Sequence, residues 1–235
     1  GNYRWHRQFA FGSSPHSHNI METDKNNRLV IYATNSSNTI DIDPGTGVVS
    51  IAPGNYFVKY DTLGNYVWSK WIGFPTSEPG LVMYTFDSDN NILLNGNYST
   101  PTDFDYGPGI VSLNDFTTSF YDNYFVLKTD SVFNFIWVNA YHSVSNSGLQ
   151  ELVTDTADNV FMYGSGGNPK LFPKYNDTVY TRNGTGGFNP YIIKYNGVTG
   201  NYISDFYLNR PTPNDIDIAQ DGYIYIRSIC RVHRF

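Results

Sequence analysis

The feature that most constrains this chain is a phrase that keeps returning. Gly1-Asn2-Tyr3-Arg4-Trp5 comes back as Gly64-Asn65-Tyr66-Val67-Trp68, as Phe133-Asn134-Phe135-Ile136-Trp137 and, more loosely, as Gly200-Asn201-Tyr202-Ile203-Ser204. A second phrase precedes it in register: Tyr56-Phe57-Val58-Lys59-Tyr60-Asp61, Tyr124-Phe125-Val126-Leu127-Lys128-Thr129-Asp130 and Tyr191-Ile192-Ile193-Lys194-Tyr195-Asn196. A third runs from an Asp through an Asn into an apolar stretch over 24–33, 87–96 and 155–164, with Asp221-Gly222-Tyr223-Ile224-Tyr225-Ile226 as a fourth copy. Three phrases in fixed order define a repeat of roughly 65 residues, and self-similarity on that scale means like units that bury their faces on one another.

Each phrase reads as a strand with its turn. In Phe57-Val58-Lys59-Tyr60 a charge interrupts apolar residues, Asp61 to Asn65 supplies a Gly/Asn turn, and Tyr66 to Trp68 begins the return strand of an antiparallel hairpin. The run from Asn91 to Gly96 has the short apolar character of a buried strand, with Gly96 where the backbone bends or meets a neighbour closely. A more variable strand around Val48 to Ile51, or Ile110 to Leu113, brings each period to four strands. The expected units are 5–68, 69–137, 138–204 and a partial 205–235 within one region, 1–235, and residues 1–5 complete a preceding or the last unit. Residues 232–235 align with 57–60 and Gly1 with Gly64, so either the first strand closes a small ring or the chain is a segment of a longer array. The longer array is the preferred expectation, as is a segment upstream of Gly1.

Composition agrees with strands. Aromatic residues make up 17% of the chain, with 20 Tyr and 16 Phe, and such side chains suit a pleated, half-buried surface. A net charge of -6 without a basic cluster argues against nucleic acid, whose phosphates need a Lys/Arg patch. Cys230 is the single cysteine, so no internal disulfide can form, and a buried small hydrophobe is its expected role. No apolar run is long enough to span a bilayer as a helix, and no signal peptide opens the sequence.

The Asp-x-x-x-Asn-apolar phrase, Asp41-Ile42-Asp43-Pro44-Gly45, Phe57-Val58-Lys59-Tyr60-Asp61 and Gly64-Asn65-Tyr66-Val67-Trp68 together resemble the seven-bladed β-propeller repeat family of large surface and secreted bacterial proteins. The second unit carries a variant of the middle phrase, Asp103-Phe104-Asp105-Tyr106-Gly107-Pro108-Gly109; the third has Lys170 to Tyr180 in its place, and the fourth lacks it. The Asn- and Tyr-rich style also resembles substrates of the type IX secretion route. The resemblance implies an all-β propeller, or an arc of one, built from four-stranded antiparallel blades and located outside the cell or on the bacterial surface.

Several residue groups invite a chemical reading. Asp41 with Asp43, and Asp103 with Asp105, have the alternate spacing of short Ca²⁺ loops, which makes Ca²⁺ the one candidate cofactor. Neither has the distal Glu of a full loop, and Asp at strand ends commonly makes side-chain to backbone turns. His16 and His18 could share one side of a strand, but no Cys or Glu lies nearby, so a solvated loop is expected. Glu22, Glu78 and Glu151 are scattered; Glu22 and Glu151 fall just before the buried strand, where a blade could aim them inward. Trp5, Trp68 and Trp137 are equivalent across units, which points to packing between blades rather than sugar stacking. Aromatics on connecting loops, Phe74, Tyr106, Phe116, Phe120 and Phe188, are the better ligand candidates. Thr62, Ser131, Thr156 and Thr178 sit in Asp-Ser/Thr-apolar triplets that resemble O-glycan attachment sites of type IX-secreting bacteria, and Asp-Thr is equally a good turn.

No Gly-x-Ser-x-Gly elbow, His-Glu-x-x-His helix or phosphate loop is present. Rigid repetition without convergent reactive groups leads to the expectation of a non-catalytic extracellular binding, adhesion or surface-assembly module. Its partners would be other surface or secretion proteins or glycans, with neither nucleic acid nor membrane insertion, within a longer chain or larger assembly. The alternatives are a glycan-active hydrolase or lyase, which needs unrepeated carboxylates at the propeller axis, and a structural spacer.

Overall fold

The computed structural model describes residues 6, 20–35, 38–72, 81–98, 102–113, 123–142, 148–166, 170–172, 180–181, 189–207, 215–218, 223–228 and 231–234. All regular structure among them is β, and every strand pair is antiparallel. The chain forms two compact units, Gly1–Phe74 and Pro75–Phe235.

In the first unit, β1 (Ile20–Thr23), β2 (Leu29–Asn35), β5 (Gly54–Tyr60) and β6 (Tyr66–Ile72) form a four-stranded meander in that order. A small hairpin, β3 (Ile40–Asp41) with β4 (Ser50–Ile51), interrupts it between β2 and β5. The hairpin is tied down by its apolar side chains: Ile42 and Ile51 join Ile31, Ala33, Tyr56, Val58 and Tyr60 in one core. Tyr60 buries its ring there and donates its hydroxyl to the Ile42 carbonyl at 2.9 Å. Burial and the nearby Tyr66 and carboxylates push the Tyr60 phenol far above its ordinary range.

The second unit repeats the plan. Strands β7 (Leu81–Phe86), β8 (Ile92–Tyr98), β11 (Asn123–Thr129) and β12 (Phe135–His142) form one sheet, with hairpin β9 (Thr102–Asp103) and β10 (Ser112–Leu113) between β8 and β11. Strands β13 (Gly148–Thr154), β14 (Val160–Gly166), β17 (Asn189–Tyr195) and β18 (Tyr202–Tyr207) form the next, and β19 (Asp215–Ile218), β20 (Ile224–Ser228) and β21 (Arg231–Arg234) the last. The insert of the third repeat departs from the pattern. Its strands β15 (Lys170–Phe172) and β16 (Tyr180–Thr181) extend the preceding sheet, with β15 on the outer edge of β12.

Side chains of β14 divide by parity, as a two-residue period demands. Val160 and Met162 pack with Leu93, Tyr124, Val126, Trp137 and Tyr141 of the preceding sheet, whereas Phe161 and Tyr163 pack with Ile216, Ile224 and Ile226 of the following one. A sheet covered on both faces needs apolar residues at successive positions, which is why these strands read as continuous apolar runs. The first strands lie side by side: Leu152 N–H meets Met83 Sδ at 3.0 Å, and Glu151 Oε2 accepts the Ile216 amide at 2.6 Å.

This arrangement corrects one expectation. The stretches at 48–51 and 110–113 are not the fourth strand of a sheet; they belong to the separate small hairpins, and the fourth strand is instead β1, β7 or β13. Two of these first strands lack a clean alternation, since β7 and β13 each carry a bulge, between Leu81 and Met83 and between Leu149 and Glu151. The bulges lie opposite Gly96 and Gly164, and a Cβ on Gly164 would stand 2.8 Å from the Tyr191 hydroxyl, so the suspected close approach is real at that repeat position.

Candidate functional site

One turn design accounts for most of the repeated aspartates. Between first and second strands, Asp24, Asp87 and Asp155 each accept two backbone amides of their own turn on Oδ1: Asn26 and Arg28, Asp89 and Asn91, Ala157 and Asn159. The fourth residue of each turn, Asn27, Asn90 or Asp158, is left-handed, the conformation Asn and Asp tolerate best. The turns between third and fourth strands repeat the device. Asp61 Oδ1 takes the amides of Leu63 and Asn65, and Asp130 Oδ1 those of Val132 and Asn134, each at 2.8 to 2.9 Å. The bonds from the Asn65 amide and side chain hold the Asp61 carboxyl below its usual range.

The same aspartates hold the lysine of the second phrase. Lys59 Nζ lies 2.9 Å from Asp24 Oδ2, Lys128 Nζ 2.6 Å from Asp87 Oδ2 and Lys194 Nζ 3.4 Å from Asp155 Oδ2. Burial raises the Asp24 carboxyl, but Lys59, the Arg28 amide and the charge on Lys59 outweigh it and leave the group more acidic than usual. Asp155 follows the same balance, with Asn159 as its main hydrogen-bond donor.

The four calcium candidates lie in two matching loops. Asp41 Oδ1 accepts the amides of Asp43 and Val49, and Asp103 Oδ1 those of Asp105 and Val111. Asp43 and Asp105 each accept the amide of the glycine two residues on, at 2.8 Å. One oxygen of every candidate is thus engaged in its own loop. Among the described residues no three His, Cys, Asp or Glu side chains gather as a metal-holding group.

The aromatic candidates separate. Trp137 is buried: its indole N–H donates to the Gly197 carbonyl of the next sheet at 3.0 Å, and Gly200 is pressed against its ring. Trp68 is half-buried, with Lys59 Nζ 6.0 Å from its ring centre. Tyr106 lies over the buried Phe133 ring, centroids 5.5 Å apart, so it packs its small hairpin against the turn between β11 and β12. Glu151 is committed to the Ile216 amide, and Glu22 is exposed on β1. Thr62 and Thr156 are exposed at turns and Ser131 is half-buried at the turn equivalent to that of Thr62. Phe74, Phe116, Phe120, Phe188, Thr178, Trp5, His16, His18, Glu78 and Cys230 lie outside the described residues.

A repeated surface feature escaped the sequence reading. Leu63, Val132 and Val198 stand exposed at the outer turns, and Val67, Ile136 and Ile203 follow on the outer strands. Val48 and Ile110, 74% and 81% exposed, occupy matching places in the two small hairpins. The signal was available, because the third residue of each outer turn is aliphatic in every aligned copy. Comparison with protein-family models and with curated proteins returns no match.

Proposed function

We propose that the chain is a non-catalytic extracellular binding module, an arc of a β-propeller that presents turns and small hairpins to surface proteins or glycans. The observation that carries this reading is how the repeated carboxylates are used. Asp24, Asp87 and Asp155, Asp61 and Asp130, and Asp41, Asp43, Asp103 and Asp105 each spend an oxygen on their own turn, and the first three also neutralise a lysine. A general acid or nucleophile requires a carboxylate free to meet substrate. The propeller part is supported by four-stranded antiparallel meanders, by a sheet buried on both faces and by first strands that run side by side in the second unit.

The same reading puts the chain among exported surface proteins of the type IX style. Exposed Thr62 and Thr156, with Ser131, would then be points of O-glycan attachment. An intact mass of the natively produced protein equal to that of the bare chain overturns the glycan part.

Labelled chain applied to an array of bacterial and host glycans, and to intact bacterial cells, tests the main reading when run beside reducing-end and unsaturated-product assays on the same glycans. Saturable binding without product is the expected outcome. Product formation replaces the reading with a hydrolase or lyase, and absence of binding to every glycan and cell leaves the spacer.

A further inference from the structure

The turn joining β17 to β18 departs from its two counterparts: it is one residue longer, closing from Asn196 to Asn201 where they close from Asp61 to Asn65 and from Asp130 to Asn134. Where the others have Asp61 and Asp130, it has Asn196, and the next residue is Gly197. We propose that Asn196–Gly197 is a self-modifying site, at which the asparagine converts with water to aspartyl and isoaspartyl residues and releases ammonia.

The chemistry is balanced without any cofactor. The Gly197 amide loses its proton to hydroxide, its nitrogen bonds to Asn196 Cγ, and the negative charge gathers on Oδ1. Water returns a proton to Nδ2, and the tetrahedral centre expels it as ammonia, leaving a five-membered imide and regenerating hydroxide. Water opens either imide carbonyl, restoring the normal backbone or rerouting it through Cγ. A glycine favours ring closure because no Cβ obstructs the approach of its nitrogen.

Two observations tie this chemistry to the fold. Asn196 Oδ1 already accepts the Val198 amide at 3.0 Å, the Thr199 amide at 2.9 Å and the Thr199 hydroxyl at 3.1 Å. Those donors surround the atom that becomes the oxyanion, the arrangement that lowers barriers in acyl transfer. The glycine, moreover, is obligatory: a Cβ on Gly197 would fall 1.7 Å from the Asp158 carbonyl oxygen. Packing therefore fixes the reactive neighbour, while the asparagine is replaceable by the aspartate used elsewhere.

The two products have different effects. Aspartate keeps an oxygen for the Val198 and Thr199 amides, as Asp61 Oδ1 accepts two amides of its own shorter turn, those of Leu63 and Asn65. Isoaspartate lengthens the backbone by one carbon within a turn closed by Asn196 N–H to Asn201 O and Gly200 N–H to Asn196 O, both 2.8 Å. It would displace the Gly197 carbonyl, which receives Lys128 Nζ at 2.7 Å and Trp137 Nε1 at 3.0 Å from the preceding sheet. Modification would loosen that junction.

The molecule supplies a control. Asn95–Gly96 lies within β8, hydrogen-bonded to strands on both sides, with Asn95 fully buried. Folded chain held in mildly alkaline buffer and mapped by peptide mass spectrometry should convert Asn196 at least about tenfold faster than Asn95, since strand interiors open far less often than turns. Thr199→Val, which removes one oxyanion donor, should slow conversion about fivefold, the effect of one hydrogen bond. Asn196→Asp should melt with the wild type, whereas material enriched in isoaspartate should melt lower. An Asn196 as inert as Asn95, or a Thr199→Val chain that converts as fast as wild type, overturns the proposal.

Discussion

The Lys128 ammonium lies 2.6 Å from the Asp87 carboxylate, with the two side chains only 5% and 1% exposed. This contact links the third strand of a sheet to its first turn, and the neighbouring sheet adds the Gly197 carbonyl as a second acceptor. Ion and acceptor together satisfy a charge that the surrounding aromatic core could not solvate.

Lys128→Met should therefore cost about 3–5 kcal/mol, because it strands a buried carboxylate. The equivalent Lys194→Met should cost only about 0–1 kcal/mol, since that pair is longer, at 3.4 Å, and partly solvated. Urea unfolding of the two variants, which lie in the same compact unit, measures the difference. Equal losses would mean that the pairs do equivalent work despite their geometry.

The Lys–Asp pairing shows where sequence reasoning stops. The repeat marked Lys59, Lys128 and Lys194 as equivalent, and alternation with apolar neighbours marked their strands. Nothing local could say that these lysines point inward, because the aspartates that permit it lie dozens of residues upstream. The buried strand at Ile92, the outer hairpin turn at Asp61 and the packing role of Trp137 were legible, since each is written in a short phrase. First strands β7 and β13 were not, because bulges erase their period, and neither was the pairing of β15 with β12, because an insert without the Asp-x-Asp-x-Gly phrase carries no register signal. For the candidate site, the phrase marked Asp41, Asp43, Asp103 and Asp105 and already pointed to side-chain to backbone turns; what it could not supply was which amides each oxygen takes, such as that of Val49 eight residues on.

Acid should expose the same aspartates. Asp24 and Asp155 have folded values below the unfolded reference of about 3.9, so the unfolded chain takes up their protons first. Their contribution to stability is complete above that reference and is lost as pH falls through the depressed folded values. Urea midpoints recorded from neutral pH downward should hold until about pH 4 and then drop. Asp155→Asn, which retains an acceptor for the Ala157 and Asn159 amides, should flatten part of that drop.

The small hairpins offer a test of ion dependence. Asp41→Asn retains an oxygen for the Asp43 and Val49 amides and should lower stability by about 0.5 kcal/mol or less, whereas Asp41→Ala removes both bonds and should cost about 1–2 kcal/mol. If the loop is a turn alone, excess chelator leaves the melting temperature of wild type unchanged. A chelator-sensitive midpoint that both variants abolish would restore calcium to Asp41 and Asp43.

Phe133 sets two effects against each other. It occupies the left-handed position, φ 73°, that Gly64 fills in the first sheet and Gly200 in the third. A side chain there costs about 1–2 kcal/mol relative to a relaxed backbone. The ring is nevertheless buried, 1% exposed, beneath Tyr106. Losing it should cost about 3–5 kcal/mol. Burial therefore outweighs strain, and Phe133→Gly should destabilise by about 2 kcal/mol despite creating the residue type the turn prefers. Phe133→Ala keeps the strain while losing the ring, so it should be worse than Phe133→Gly by about 1 kcal/mol. Denaturant midpoints give the order directly: wild type, then Phe133→Gly, then Phe133→Ala. A glycine variant as stable as wild type would show that the Tyr106–Phe133 contact contributes nothing beyond what the turn forfeits to hold it.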